Sequence, residues 1–195
     1  MPGTDSQPDA HGSGAPGAGA DPAAAARALL TDSFGRIRDQ VAGLCNGLTT
    51  EEASWRPERE ANSIGWLLWH LARVQDDHIA DAAGTAQVWT TPESGRSWSE
   101  RFGLPFDAGE TGFGQSPEEV GRVRVDGPLL DAYQADVHAA TMRYVGSLTT
   151  DELERVVDRS WDPPVTAAVR LVSVIGDCTA HLGQAQYVLG MQQRL

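Results

Sequence analysis

Apolar positions along the 195-residue chain recur at three- and four-residue steps in four long stretches, each of which predicts an amphipathic helix. In the first, Leu30, Phe34, Ile37, Val41, Leu44 and Leu48 follow a 4-3-4-3-4 spacing, with Asp21 as the expected N-cap, Pro22 at the first helical position and Gly47 as a stop signal. The second runs from Asn62 to Asp81 and gathers Ile64, Leu67, Leu68, Leu71 and Val74 on one arc. A third, from about Pro128 to Gly146, carries Leu129, Leu130, Tyr133, Val137, Tyr144 and Val145. The last runs from about Thr166 to Gln193, with Leu171, Val174, Ile175, Cys178, Leu182, Ala185, Val188 and Leu189 on its apolar arc. No segment alternates cleanly between apolar and polar, so the expected fold is all-α, without an extensive sheet.

The polar punctuation places the rest. Thr49 with Glu52 forms a capping-box pattern for a short helix that ends before Pro57. Leu48 and Leu148 are each followed by nearly the same cap, Thr-Thr-Glu-Glu and Thr-Thr-Asp-Glu, which hints at two helix-turn-helix halves. Between Gly84 and Gly127 lies a long connector with six apolar anchors, Trp89, Trp98, Phe102, Leu104, Phe106 and Phe113. Short helices are expected there after Ser97 and after Ser116, each with a Glu three residues on. A connector of this length is either packed onto the bundle or covers a substrate. Residues 1–20 are Gly, Ala, Pro, Ser and Asp with almost nothing to bury, so a disordered tail containing His11 is expected ahead of a single domain spanning 21–195.

Charge narrows the partners. A formal net charge of −12 repels phosphate backbones and anionic lipid surfaces, which argues against nucleic-acid and membrane-surface binding. The start of the chain has no basic segment followed by an apolar core, so the expected compartment is the cytoplasm. Cys45 and Cys178 both fall within helical patterns and read as small buried hydrophobes. All 15 basic residues are Arg, the codon bias of a GC-rich genome.

Histidines and carboxylates then supply the chemistry. His70 sits at the edge of the second helix's arc, and Asp77, seven residues later, lies about 20° away around the same helix. On the final helix, Asp177 and His181 are four apart and face the same way. Together, His70, Asp177 and His181 make a two-histidine, one-carboxylate set suited to zinc, nickel or iron with an open position. His78 also projects toward its helix's arc, and His138 lies at the fringe of the third helix's arc.

Two segments, Ser63-Ile-Gly-Trp-Leu-Leu-Trp-His-Leu-Ala-Arg-Val-Gln-Asp76 and Val172-Ser-Val-Ile-Gly-Asp-Cys-Thr-Ala-His-Leu-Gly-Gln-Ala-Gln-Tyr187, resemble the DinB-like (DinB/YfiT) superfamily over roughly Asp21 to Leu195. The resemblance implies a four-helix bundle with a long connection between the second and third long helices, often a homodimer. It also implies a metal held by one histidine on the second helix and a His-x-x-x-His pair on the last. His70 and His181 match that pattern, and Asp177 stands where the first histidine of the pair is usual. Characterised members imply mycothiol-dependent isomerisation and S-transfer from mycothiol or bacillithiol to electrophiles. The expectation is therefore a divalent-metal-dependent thiol S-transferase or isomerase, with zinc as first choice of metal, mycothiol as cosubstrate and Asp77 as orienter or base. A bundle that binds a metal or small molecule without turnover is the alternative, and a purely structural role for these polar residues is a third.

Overall fold

In the computed structural model, which describes residues 21–92 and 95–194, the periodic stretches become helices joined by short capped pieces. In chain order the elements are α1 (Ala24–Cys45), α2 (Thr50–Ser54), α3 (Ile64–Ala83), α4 (Trp98–Phe102), α5 (Pro117–Val120), α6 (Gly127–Ser147), α7 (Thr150–Glu154), β1 (Val156–Asp158), β2 (Val165–Thr166) and α8 (Ala167–Gln192). The tail at 1–20, with His11, lies outside the described residues. The fold is all-α, as expected, apart from the small antiparallel β1–β2 ladder.

Side-chain bonds between helices give their directions. Arg27 reaches the Leu148 carbonyl and Arg38 reaches Gln134, so α1 and α6 run antiparallel. Arg73 meets Tyr133 and Gln75 meets Thr141, so α3 and α6 run parallel. Arg170 meets His78 and Cys178 meets the Leu71 carbonyl, which makes α3 and α8 antiparallel. Parallel neighbours force the chain to travel back along the bundle between them, over about 30 Å for a helix of this length. The long 84–126 connector is that return, and it covers the outer face of α3. Where α6 starts beneath the end of α1, Gly127 is required for lack of space. A Cβ there would lie 2.1 Å from the Cys45 carbonyl oxygen.

Several expected boundaries shift for local reasons. The first helix begins at Ala24, with Ala23 at its N-cap, because the Asp21 carboxylate accepts from the Ala23 amide and forms a turn ahead of the helix. Thr49 with Glu52, Ser97 with Glu100, and Ser116 with Glu119 all form reciprocal capping boxes. Thr149 caps α7 without one, since the Glu152 carboxylate binds the Tyr144 hydroxyl and Arg155 instead. Leu48 and Leu148 are both buried just past the ends of α1 and α6.

α3 is buried almost all round rather than along one arc, and Val74 is one of its few half-exposed positions. Three layers account for this: α6 on one flank, α8 on the other, and the connector outside. Trp89, Trp98 and Phe102 anchor the connector around Tyr133, with ring centroids 5.1, 5.7 and 5.6 Å from it. Leu104 and Phe106 pack at the margin. Phe113 is not an anchor, because its side chain stands 93 % exposed between Gly112 and Gly114.

Candidate metal centre

His70 leaves the middle of α3 toward α8 because it follows the Trp66–Leu67 turn, with Trp66 stacked on its ring at a centroid distance of 4.6 Å. Asp177 and His181, one helical turn apart on α8, come from the opposite wall. The three ligand atoms, one from each residue, all lie within 4.8 Å of one another. His181 Nε2 and Asp177 Oδ1 are 3.6 Å apart. That is a long contact for a hydrogen bond. It is close to the roughly 3.4 Å that separates two donors bound at ordinary zinc distances in tetrahedral geometry.

The outer bonds of the two imidazoles orient them. The Thr111 carbonyl lies 2.6 Å from His70 Nδ1. A carbonyl can only accept, so Nδ1 carries the proton and Nε2 keeps its lone pair. His181 Nδ1 likewise lies 3.0 Å from Gln184 Oε1. Asp177 Oδ2 is buried and has no hydrogen-bond partner among the described residues. These are donors with unused lone pairs facing one another, the arrangement in which histidine ligands are held by hydrogen bonds on their other nitrogen. A divalent metal fits this set.

Electrostatics couple the three residues. Burial pushes His70 below the usual histidine value, so it is neutral at neutral pH. The Asp177 carboxylate beside His181 holds that imidazole above its ordinary value, and His181 in turn holds Asp177 below the usual carboxylate range.

The other expected residues lie elsewhere. Asp77 accepts from Gln87 Nε2 at 2.6 Å and stands 3.7 Å from His78, outside the cluster of three. His78 Nδ1 faces the Arg170 guanidinium at 3.4 Å. His138 lies on α6 with its Nδ1 buried and unbonded, apart from the cluster. Sequence reasoning missed Thr111, Gly112, Trp66 and Gln184, which surround the histidines. Of these, Gln184 at i+3 from His181 and Trp66 at i−4 from His70 carried a helical-spacing signal, and Thr111 and Gly112 carried none.

A four-helix bundle whose facing helices bring two histidines and a carboxylate together has a candidate interhelical metal centre. The model of the mycothiol-S-transferase family matches residues 29–189, and the chain belongs to that family. A crystal structure of a conserved protein from Enterococcus faecalis superposes with a TM-score of 0.74 and 32 % identity, over 83 % of this chain and 94 % of that one. No curated protein matches the chain. At the level of the family, the function is S-transfer of the mycothiol type, with a small-molecule thiol as cosubstrate. Among the described residues, no helix is long and apolar enough to cross a membrane.

Proposed function

We propose that the protein is a divalent-metal-dependent S-transferase or isomerase that joins the sulfur of a mycothiol-type thiol to a small electrophile, with His70, Asp177 and His181 as the protein's metal ligands. The supporting observation is the valence of these residues. Two imidazoles are held on their Nδ1 side, and a carboxylate has an unpartnered oxygen, all within 4.8 Å. Zinc is the preferred metal, with nickel and iron accepted by the same donors. When bound, the metal supplies Lewis-acid stabilisation of sulfur as thiolate near neutral pH.

The chain's own residues have separable parts. The Thr111 carbonyl fixes His70, and Gln184 fixes His181. Trp66, stacked on His70, and Gly112, packed against both rings, exclude water from that side. Asp77, on the stripe of α3 that carries His70, is assigned as the acceptor of the thiol proton. Neither cysteine serves as the sulfur nucleophile. Burial pushes the Cys45 thiol up to about 12, and Cys178 is pushed up further with its sulfur against the Leu71 carbonyl. The sulfur therefore arrives with the cosubstrate. The same reading takes the protein as a cytoplasmic homodimer whose single domain spans 21–195.

The test is metal analysis of the purified full chain, followed by turnover with mycothiol and a panel of small electrophiles. One divalent ion per chain, with turnover lost on chelation, is the expected result. Stoichiometric metal without turnover leaves a metal-binding bundle, and no metal at all removes both. Asp77→Asn should slow turnover without lowering metal content, and unchanged turnover would remove Asp77 from the mechanism.

A further inference from the structure

The carbonyl that orients His70 belongs to a connector rather than to a helix, so something must hold that connector in place. One residue before its contact with His70, the connector is tied to a buried charge. Arg73, fully buried on α3 and three residues beyond His70, donates from Nε to the Glu110 carbonyl at 3.3 Å. Its Nη1 meets the Tyr133 hydroxyl at 3.4 Å and Asp76 Oδ2 at 3.5 Å, while Trp89 lies under the guanidinium with its ring centroid at 5.0 Å. The far side of the strap is held by a second route, from Trp66 Nε1 to Gln115 Oε1 at 2.8 Å and from Gln115 Nε2 to Glu110 Oε2 at 3.1 Å.

The fit is close. Gly112 has φ +96°, and a Cβ there would lie 2.9 Å from Trp69, 3.0 Å from His70 Nδ1 and 3.2 Å from Trp66. Any lift of residues 110–112 would therefore take the Thr111 carbonyl away from Nδ1. A buried guanidinium is a costly way to fill a core, and an apolar side chain of similar volume would often stabilise the fold as well. Of the bonds Arg73 makes, the one to Glu110 is the one that reaches the strap.

We propose that Arg73 is a positioning residue for His70: by holding the Glu110 carbonyl, it seats the 110–112 strap so that the Thr111 carbonyl keeps His70 in the Nδ1–H tautomer, with Nε2 turned toward Asp177 and His181. The consequence for metal binding rests on the function proposed above. The tautomer itself does not. In the strap's absence, His70 exchanges between tautomers, and the Nε2–H form cannot bind a cation at that atom.

The experiment reads imidazole nitrogens by long-range proton–nitrogen NMR on the metal-free full chain, with zinc affinity measured in parallel. Wild type should show His70 as Nδ1–H alone. Arg73→Gln should populate the Nε2–H form and weaken zinc binding by about 10- to 100-fold, as loss of a ligand-orienting bond does. Arg73→Lys, which keeps a donor and a charge, should restore the wild-type pattern. Gly112→Ala leaves Arg73 intact, displaces the strap directly and should give the same tautomer shift, so the test survives an Arg73→Gln protein that does not fold. His70 remaining wholly Nδ1–H in both folded variants, or wild type showing Nε2–H, overturns the proposal. A tautomer shift in a protein that binds no zinc upholds the positioning role and sinks the metal reading alone.

Discussion

On its α6 side, α3 carries Gln75 and Asp76, and on its α8 side it carries His70. Both flanks bury polar groups, but they are completed differently. Asp76 accepts from the Val88 and Trp89 amides at 2.9 and 2.8 Å and from the Tyr133 hydroxyl at 2.9 Å. Gln75 donates to Thr141 at 2.8 Å, and Thr141 passes its own proton to the Val137 carbonyl. There Asp76, Gln75 and Thr141 each find partners in the same chain, and Arg73 Nη2 is left without one among the described residues. On the α8 flank, the ring nitrogens are matched only on their outer side, and the inner atoms of His70, His181 and Asp177 meet as acceptors facing acceptors. The difference separates a polar core from the proposed metal centre: the first is held largely by its own hydrogen bonds, and the second gathers acceptor atoms that a cation would join.

The comparison breaks most plainly if the open flank is emptied. His70→Ala and His181→Ala should each abolish stoichiometric binding of zinc, whereas His11→Ala and His138→Ala should leave it unchanged. Equal zinc content in all four variants would reduce the open flank to ordinary packing. On the closed flank, Asp76→Ala removes the partner of a buried guanidinium and three hydrogen bonds. It should lower stability by about 3–5 kcal/mol, read as a shift in urea midpoint. Tyr133→Phe removes the bond to the same carboxylate and the hydroxyl that Arg73 Nη1 meets, while Arg73 keeps its Nε bond to the Glu110 carbonyl, for an expected loss of about 1.5–3 kcal/mol. It should leave zinc affinity unaltered, and a matching drop in affinity would mean the two flanks are not separable.

Asp177 sharpens the contrast further. As a ligand, its replacement in Asp177→Ala leaves two protein donors and weak zinc binding, and Asp177→His should restore tight binding as a three-histidine site. If Asp177 only orients a neighbour, Asp177→Ala should cost about 10- to 100-fold in affinity. Calorimetric titration of both variants decides.

The smallest effect is in pH. In the metal-free protein, Asp177 lies below the usual carboxylate value and His181 above the usual histidine value. The carboxylate's contribution to stability is present above its unfolded pKa and lost as pH falls through its lowered one. The imidazole's contribution is present below its unfolded pKa and lost as pH rises through its raised one. The pair therefore stabilises most in mildly acidic solution. The melting-temperature deficit of metal-free Asp177→Asn should be larger at about pH 5.5 than at about pH 9. Zinc affinity should run the other way and weaken as acid protonates His181. A deficit independent of pH would show that the contact does not titrate.

Much of this molecule could be read from local spacing. Four helices, the three capping boxes, the two short connector helices and the core-facing placement of His70, Asp177 and His181 on their own helices all follow from three- and four-residue periodicity. In a helix, that periodicity fixes which side chains share a face. The return connection was also legible as a long segment with aromatic anchors. What the spacing could not decide is where groups distant in sequence meet. On the helical wheel Gln75 falls within the apolar arc and Arg73 and Asp76 fall outside it, yet all three are buried because α6 runs parallel to α3 and Tyr133, Gln134 and Thr141 arrive opposite them. Phe113 looks like an anchor, yet the Gly112–Gly114 turn points it into solvent. The Thr111 carbonyl, which sets the state of His70, is a backbone atom with no residue-type signal. Its role depends on how residues 84–126 fold back across α3. Periodicity is a property of a few turns of chain, whereas the completion of a hydrogen bond depends on which surfaces pack together. For that reason the sequence by itself determined the helices and the candidate ligand residues, and only the tertiary structure decided their convergence, their orientation and the burial of their supports.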